Sequence, residues 1–502
     1  MKKILSSLAI ALAAVVSAGP AFADVVPGKY LVYFKTNRSV QSGSHEQVVR
    51  GLQTVNRTNI DLLQKKIGKK ADSVSPLWIV NGAVVRASKT ELKSLESLDN
   101  VASVKPVEYR KWIDLRPTTR VVRTDAAPVW NILKVRAPEV WQNNSIDGSG
   151  IVVGHIDTGI NANHPALKGK VLAFKDFTPA AKAEAYDDQG HGSHTAGTIA
   201  GGNGLGVAPG ARLIVAKVFD KQGSSEDATL LQAMQWMMDP DGNPATNDAP
   251  LLVSNSWGSD DSTDKGFWEA VNAWVSAGIV PVFAAGNNGP NKVGTPGGFP
   301  HSWAVAATKK DDTLAYFSSL GPVVWDGVTY IKPDIAAPGY GVISCDLGAG
   351  TVSNMGTSMA CPHVAGLVAL MLQANPKLTI EQVRNLGEST AIDLGTAGKD
   401  NKFGSGRFDA VECIKKVLTN ASLEAAFAAY DRALAAEVAL VGVQSSSPLA
   451  GPLARSIVIR CKSLDDGESR SLNISVANSG SQAAQKLLQE AAAVRQGENL
   501  QN

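Results

Sequence analysis

Gly356-Thr357-Ser358-Met359-Ala360-Cys361-Pro362-His363-Val364-Ala365-Gly366 is the stretch on which the reading of this chain turns. It runs straight into Leu367-Val368-Ala369-Leu370-Met371-Leu372, apolar on every side. A helix without a polar face belongs inside a large core. Ser358 therefore stands where a buried helix begins, among backbone N–H groups with no intrahelical acceptor and at the positive end of the dipole. Taken alone, a Gly-Thr-Ser turn reads as a helix cap. Beside a general base, the same place suits a nucleophile whose attack creates an oxyanion.

Around that helix, residues 148–411 alternate short β-rich runs with helical segments. The runs 151–156, 213–218, 251–254 and 280–284 are apolar almost throughout. Such strands imply a sheet covered on both faces, so the expected fold class is α/β, a mostly parallel, doubly wound sheet flanked by helices. In such folds functional groups gather at the carboxyl ends of the strands.

The flanks read differently. Lys2 and Lys3 precede an apolar run over 4–16, and Ala21-Phe22-Ala23 offers a small-x-small cleavage site, so 1–23 is expected to be a signal peptide. The run is too short to span a bilayer comfortably. A secreted protein, extracellular or periplasmic and free of the membrane once the signal is removed, is expected. Residues 24–115 read as a small α+β domain, with strands at 30–34, 77–80, 83–87 and 101–107, helices at 48–67 and 90–98, and a hairpin turn at Asn81-Gly82. Residues 116–129, without periodicity, read as a linker; 130–419 form the main domain and 420–502 a C-terminal extension. In that extension an Ala/Glu-rich helix, a Ser/Pro linker at 445–448, strands at 457–461 and 472–476 and a helix over 482–495 are expected, with no chemistry.

Composition narrows the function classes. The 502 residues carry a formal net charge of +2, which gives no support to nucleic acid or an anionic membrane as partner. Cys345, Cys361, Cys413 and Cys461 allow three complete pairings in an oxidising compartment, and their spacing matches no zinc site. Cys361 reads as a small packed residue.

Three further segments supply what a serine nucleophile requires. Asp157 ends the run His155-Ile156-Asp157, His191 opens a small-residue helix after Asp188-Gln189-Gly190, and Asn287 follows Phe283-Ala284-Ala285-Gly286. An imidazole can take the serine proton near neutral pH, and a carboxylate fixes its tautomer and stabilises the imidazolium. An asparagine amide, with the nucleophile's own N–H, can meet the oxyanion. His194 is the one serious alternative base; His45, His155, His164, His301 and His363 read as structural or without signal. A Gly-x-Ser-x-Gly elbow of the esterase type is absent around Ser358.

These segments resemble the subtilisin-like serine peptidases, in that family's order Asp, His, Ser, over roughly residues 130–410 and including Gly404-Ser405-Gly406-Arg407-Phe408-Asp409-Ala410. The resemblance implies an endopeptidase acting through an acyl-enzyme, with Asp157 as orienter, His191 as base and acid, Ser358 as nucleophile and Asn287 as oxyanion donor. It implies that Ser256-Trp257-Gly258 and Ala284-Ala285-Gly286 are two rims holding an extended peptide substrate as an added strand. Trp257 is then expected to narrow or stack in a distal subsite, or to pack against the body. Residues 24–115 resemble the family's inhibitory propeptide, which would make the chain a zymogen and its own propeptide an intramolecular inhibitor, with self-cleavage in the 110–125 region. The reading from another class is a catalytically silent, or permanently inhibited, peptide-binding scaffold. No cofactor is required; calcium is left open as a structural ion with no site located, because the longer calcium loop of many subtilisins is missing after Thr198. Asp239-Pro240-Asp241-Gly242-Asn243-Pro244 is acidic, but its glycine is misplaced for an EF-hand and position twelve is Pro250, so it reads as a turn-rich insertion. That insertion resembles the bacillopeptidase F-like branch.

Overall fold

The computed structural model describes residues 23–35, 43–67, 74–422, 455–462 and 469–476. The signal peptide, apart from residue 23, lies outside them, as do the helices and the Ser/Pro linker expected in the extension. The chain divides into two compact units, Met1–Leu423 and Glu424–Asn502.

The first unit is organised by seven parallel strands: β6 (Val152–Asp157), β7 (Val171–Asp176), β8 (Arg212–Lys217), β10 (Leu252–Asn255), β11 (Val280–Ala284), β12 (Trp303–Thr308) and β15 (Ile335–Pro338). Their order is β15-β12-β11-β10-β6-β8-β7. The chain first winds from β6 toward β7 and β8, then returns to β6's other side with β10. This reversal opens a crevice at the carboxyl ends of β6 and β10, the place where doubly wound sheets bind ligands. All residues of β10, β11 and β12 are buried, which is why their sequences show apolar runs rather than alternation.

The helices supply the cover on both faces: α3 (Trp130–Lys134), α4 (Ala137–Asn144), α5 (His191–Ala200), α6 (Asp227–Trp236), α7 (Trp268–Ser276), α8 (Thr357–Ala374) and α9 (Ile380–Ser389). The helix announced by the Ser358 stretch is α8, which packs on β10, β11, β12, β15 and α5. Among the described residues it is the one helix long and apolar enough to cross a membrane, yet 89% of it is buried inside the protein. It is a core helix. Minor strands complete the unit: β13 (Val323–Trp325) with β14 (Val328–Tyr330), and β16 (Tyr340–Cys345), β17 (Thr351–Met355) and β5 (Thr119–Val121) in a three-stranded sheet.

Ahead of this lies an α+β module: β1 (Asp24–Phe34), α1 (His45–Ile67), β2 (Val74–Leu77), β3 (Gly82–Arg86), α2 (Lys89–Glu96) and β4 (Val101–Lys111). Its sheet runs β2-β3-β1-β4-β9, and β9 (Ser224–Glu226) belongs to the main body. Helix α2 begins at a capping box of Ser88 and Glu91, a local signal that sequence carries well. Two expectations need correcting. The run 77–80 is not a strand: after Leu77 the chain makes a 3-10 turn, Trp78–Val80, in which Ile79 and Val80 are buried and the Ile79 amide donates to Gln235 of α6. An apolar tetrapeptide does not reveal whether it lies in a sheet or docks as a knob on a neighbour. The stretch 116–129 is not all linker, because Thr119–Val121 pairs with β17. Three residues are too few to show a period, so this strand owes its existence to its partner.

In the second unit, β18 (Arg455–Lys462) and β19 (Ser469–Val476) pair antiparallel, with Ile457 opposite Ile474. They contain the two strands expected there.

Cys345, Cys361 and Cys413 are free and buried. Burial holds their thiols in the protonated form, pushing those of Cys361 and Cys413 up to about 12. The sulfur of Cys361 sits 3.6 Å from the carbonyls of Asn255 and Val282, a packing role.

Candidate active site

Asp157 is the last residue of β6 and is fully buried. Its Oδ1 accepts hydrogen bonds from the Thr158 amide at 2.7 Å and from His191 Nδ1 at 2.7 Å. Its Oδ2 accepts from Thr195 Oγ1 at 3.1 Å. Burial works to raise the pKa of this carboxyl, but the charge and hydrogen bond of His191, with His155 and the Thr158 amide, outweigh it and hold it below the ordinary value. The group is therefore an ionised carboxylate in a site closed to water.

His191 opens α5. Its amide donates to Gln189 Oε1 at 2.7 Å, and the turn before it is tied to Asp187, whose Oδ1 accepts from Gln189 N and Gly190 N. The helix lies so close to the β6 exit that a Cβ at Gly192 would stand 2.1 Å from the Gly159 carbonyl oxygen. Only glycine fits there. With Nδ1 bonded to Asp157, the other ring nitrogen, Nε2, is buried with no hydrogen-bond partner.

Ser358 is the second residue of α8, reached through Gly356 at φ 151°. Its Oγ donates to the Ser256 carbonyl at 3.0 Å, and Ser256 Oγ donates back to the Ser358 carbonyl at 2.8 Å. No hydrogen bond joins Ser358 to His191 here; such contacts commonly tighten only with substrate in place. Asn287 stands beside the same turn. Its Oδ1 accepts from the Thr357 amide at 2.8 Å and from Thr357 Oγ1 at 3.0 Å. Fixing the oxygen in this way leaves the amide nitrogen as the end available to donate, and among the described residues no hydrogen bond uses it.

The remaining histidines are held in other work. Burial lowers His194 to about 4, and its Nε2 faces the Val342 carbonyl at 3.1 Å. It is a neutral donor to backbone, committed to Val342 rather than to Asp157. Burial lowers His363 to about 3; its Nδ1 faces the Met359 carbonyl and its Nε2 faces Asn131 Nδ2. His155 is also depressed, first by burial. Its Nε2 lies 2.8 Å from Thr195 Oγ1, which gives a directed chain: His155 Nε2–H to Thr195 Oγ1, then Thr195 O–H to Asp157 Oδ2. Thr195 and Lys217 were not legible as site residues in the sequence. The Lys217 ammonium is buried, donating to Thr158 O, Phe219 O and Asp188 Oδ1 at 2.6, 2.9 and 2.7 Å. It thereby ties the segments that follow Asp157 and precede His191.

A chain segment already crosses the crevice. Past β4, the amides of Trp112 and Ile113 donate to the Gly223 carbonyl, and Gly258 N donates to the Trp112 carbonyl at 3.2 Å. Tyr109, Arg110 and Lys111 pair with Glu226, Ser225 and Ser224. Residues 109–113 are thus an added strand between the β9 edge and Gly258. The next residues, Asp114, Leu115 and Arg116, line a cavity of about 320 Å³ together with Gln189, His191 and Met359. Arg116 donates to the Asn287 carbonyl at 3.3 Å and stacks over Phe317.

Of the two expected rims, Trp257-Gly258 flanks this strand. Ala284-Ala285-Gly286 does not: the Ala285 amide is bonded to Val305 O, Gly286 N to Thr357 Oγ1, and Gly286 O to Ser319 N. The edge facing Gly258 is residues 223–226 instead. The signal available in sequence was Gly223, a turn glycine at φ 75° just after an apolar strand. Trp257 is 2% exposed and meets Trp112, Phe219, Phe267 and Phe283 edge-on, with centroids 5.5 to 6.3 Å apart. It packs into the body and is also the floor on which Trp112 rests. Trp257→Ala is expected to cost ~3–5 kcal/mol of stability, read as a lower midpoint in denaturant at unchanged slope.

Residues 148–406, about half of the chain, match the family model described as the subtilase family. The chain belongs to the subtilase family. It is 36% identical over 285 residues to subtilisin Savinase of Lederbergia lenta, covering 56% of this chain and 96% of that protein. With the M-protease of Shouchella clausii (strain KSM-K16) the identity is 35% over 309 residues, 59% of this chain and 74% of the other. Bacillopeptidase F of Bacillus subtilis (strain 168) is 34% identical over 385 residues, 69% of this chain. The match spans only 26% of bacillopeptidase F's own length. Membership makes this subtilase a serine endopeptidase, on the parallel α/β sheet expected from its strands.

Proposed function

We propose that this subtilase is an exported endopeptidase made as a precursor that cleaves itself, with Asp157, His191 and Ser358 as its triad and Asn287 as oxyanion donor. In this reading His191 Nε2 takes the proton as Ser358 Oγ attacks a peptide carbonyl. Asn287 Nδ2 and the Ser358 amide receive the oxyanion, in a place where water does not compete. The imidazolium, stabilised by ionised Asp157, then protonates the leaving amine, and water attacks the acyl-enzyme by the same proton route in reverse.

The observation that carries the precursor reading is the strand 109–113 lodged between residues 223–226 and Gly258. It presents backbone as a peptide substrate would, and it leads Asp114–Arg116 past His191. Trp112, with the Arg110 guanidinium 4.1 Å above its ring and Trp257 edge-on to it, anchors the segment. Residues 24–115 then act as intramolecular inhibitor, 1–23 direct export, and broad protein or peptide substrates follow from recognition through backbone. Binding of nucleic acid has no place in this reading.

Labelling with a fluorophosphonate tests it. The mature form, its new N-terminus located by sequencing, is expected to label at Ser358, and the intact precursor to label slowly. A mature form that never labels would point to the silent peptide-binding scaffold.

A further inference from the structure

The two oxygens of Asp157 are served unequally. Oδ1 accepts from the Thr158 amide and from His191 Nδ1, both at 2.7 Å. Oδ2 has one hydrogen-bond donor among the described residues, Thr195 Oγ1 at 3.1 Å. That hydroxyl has a single hydrogen and three candidate acceptors, because the His191 and Gly192 carbonyls also stand 3.1 Å from it. A threonine inside a helix commonly turns its hydrogen to the carbonyl four residues back, which here is that of His191. Distance alone does not send it to Asp157.

His155 supplies the bias. It lies in the middle of the parallel sheet, flanked by Val215 of β8 and Ser254 of β10, and is 1% exposed. Its Nε2 is 2.8 Å from Thr195 Oγ1 and 3.7 Å from Asp157 Oδ2, while its Nδ1 is buried with no hydrogen-bond partner. The unpartnered nitrogen decides the tautomer. With the hydrogen on Nδ1, Nε2 would take the Thr195 hydrogen, and two buried groups would go unserved, the Nδ1–H and the charged Oδ2. With the hydrogen on Nε2, a single neutral acceptor is left over. The threonine oxygen then receives a donor of its own, which polarises its O–H toward the ionised oxygen. A charge-assisted bond there is stronger than one to a carbonyl. Protonation of both nitrogens is opposed first by burial.

We infer that, given the proposed triad, His155 is a positioning residue acting through Thr195: it commits the threonine hydroxyl to Asp157 Oδ2 and so moderates the charge that Asp157 presents to His191. A donor on Oδ2 draws charge away from Oδ1, the oxygen that faces the imidazole. Without it the carboxylate attracts the His191 proton more strongly, and the base is free only at higher pH. Other ionisable groups stand around the pair. Lys217 of β8 is bound to Thr158 O, Phe219 O and Asp188, and Asp187 takes its donors from Thr158, Gln189, Gly190 and Ser193. His194 of α5 is lowered to about 4 and Cys361 of α8 is pushed up to about 12, both away from neutral pH. None of these donates to Asp157 Oδ2, and the variants below leave all of them in place.

The acid limb of kcat/KM reads this role, because it follows protonation of the free enzyme's essential base. Its midpoint does not depend on how much of a preparation is folded. In mature enzyme with a peptide substrate, His155→Leu and Thr195→Val are each expected to raise that midpoint by about half a pH unit, roughly threefold in the proton equilibrium. KM on the plateau should stay unchanged, since both residues are buried. The double variant is expected to shift no further than the larger single one, because the two act in series. His155→Gln, which returns an N–H near the place of Nε2, and Thr195→Ser, which returns the hydroxyl, are expected to bring the midpoint back. A histidine that only fills the core predicts a lower melting midpoint with the limb unmoved. That result in both single variants would overturn the role, as would shifts that add in the double variant. Asp157→Asn separates the two ways of failing. If it retains kcat, the triad falls and the role of His155 with it; if it loses kcat while the limb ignores His155 and Thr195, only the role of His155 falls.

Discussion

Ser358→Ala is expected to yield a full-length precursor that does not process itself and has no measurable turnover. In the proposed mechanism the hydroxyl is the group that forms the covalent bond, and nothing near it can substitute. Cys361, one helical turn on, is buried, with its thiol pushed up to about 12, so no thiolate is at hand. The fall in kcat is expected to be on the order of 10⁶-fold, the magnitude found for loss of the nucleophile in subtilisin itself. The fold should survive. The substitution removes one hydrogen bond to the Ser256 carbonyl, a net loss of about 1 kcal/mol. Mass spectrometry of the purified variant decides between outcomes: an intact chain from residue 24 onward supports self-cleavage, and a mature N-terminus appearing in isolation removes it.

Asp157→Asn is the second large effect, an expected loss of ~10⁴-fold in kcat with KM little changed, as for the corresponding change in a serine protease of unrelated fold. Geometry explains why the loss falls on kcat. Oδ1 would still accept from Thr158 N and His191 Nδ1, and the new amide nitrogen could face Thr195 Oγ1, which can turn its hydrogen to the His191 carbonyl 3.1 Å away. Position is preserved, and charge is lost just when the imidazolium forms. A KM that rises as much as kcat falls would contradict this assignment. The same variant has a stability signature. Because the folded carboxyl is held below its ordinary value, its ionisation favours the folded state above the unfolded value of about 3.9. That contribution fades as pH falls through the folded value. Acid denaturation of Asp157→Asn should therefore begin from lower stability at neutral pH and show a shallower loss below pH ~4.

Much of the proposed site was legible because its residues sit where local chemistry announces element ends. Asp157 closes an apolar run, His191 and Ser358 open small-residue helices after glycine, and Asn287 follows a buried strand. These are properties of a few consecutive residues, and sequence displays them. The edges that hold the strand 109–113 were less legible. Ala284-Ala285-Gly286 looks like a free strand end until Val305, Thr357 and Ser319 are seen to use its backbone groups. Thr195 and Lys217 likewise acquire meaning from what stands opposite them, 38 residues away at Asp157 and 59 residues away at Thr158.

Read alone, the sequence determined the class of fold, because apolar periodicity and turn chemistry are local, and its resemblance to a family pointed to the four side chains proposed as reactive. Tertiary structure decided which edges hold the strand 109–113, that residues 119–121 form a strand at all, and that Thr195 meets Asp157. Hydrogen-bond pairing across a crevice depends on distance in space, and the order of residues along the chain does not encode that distance directly.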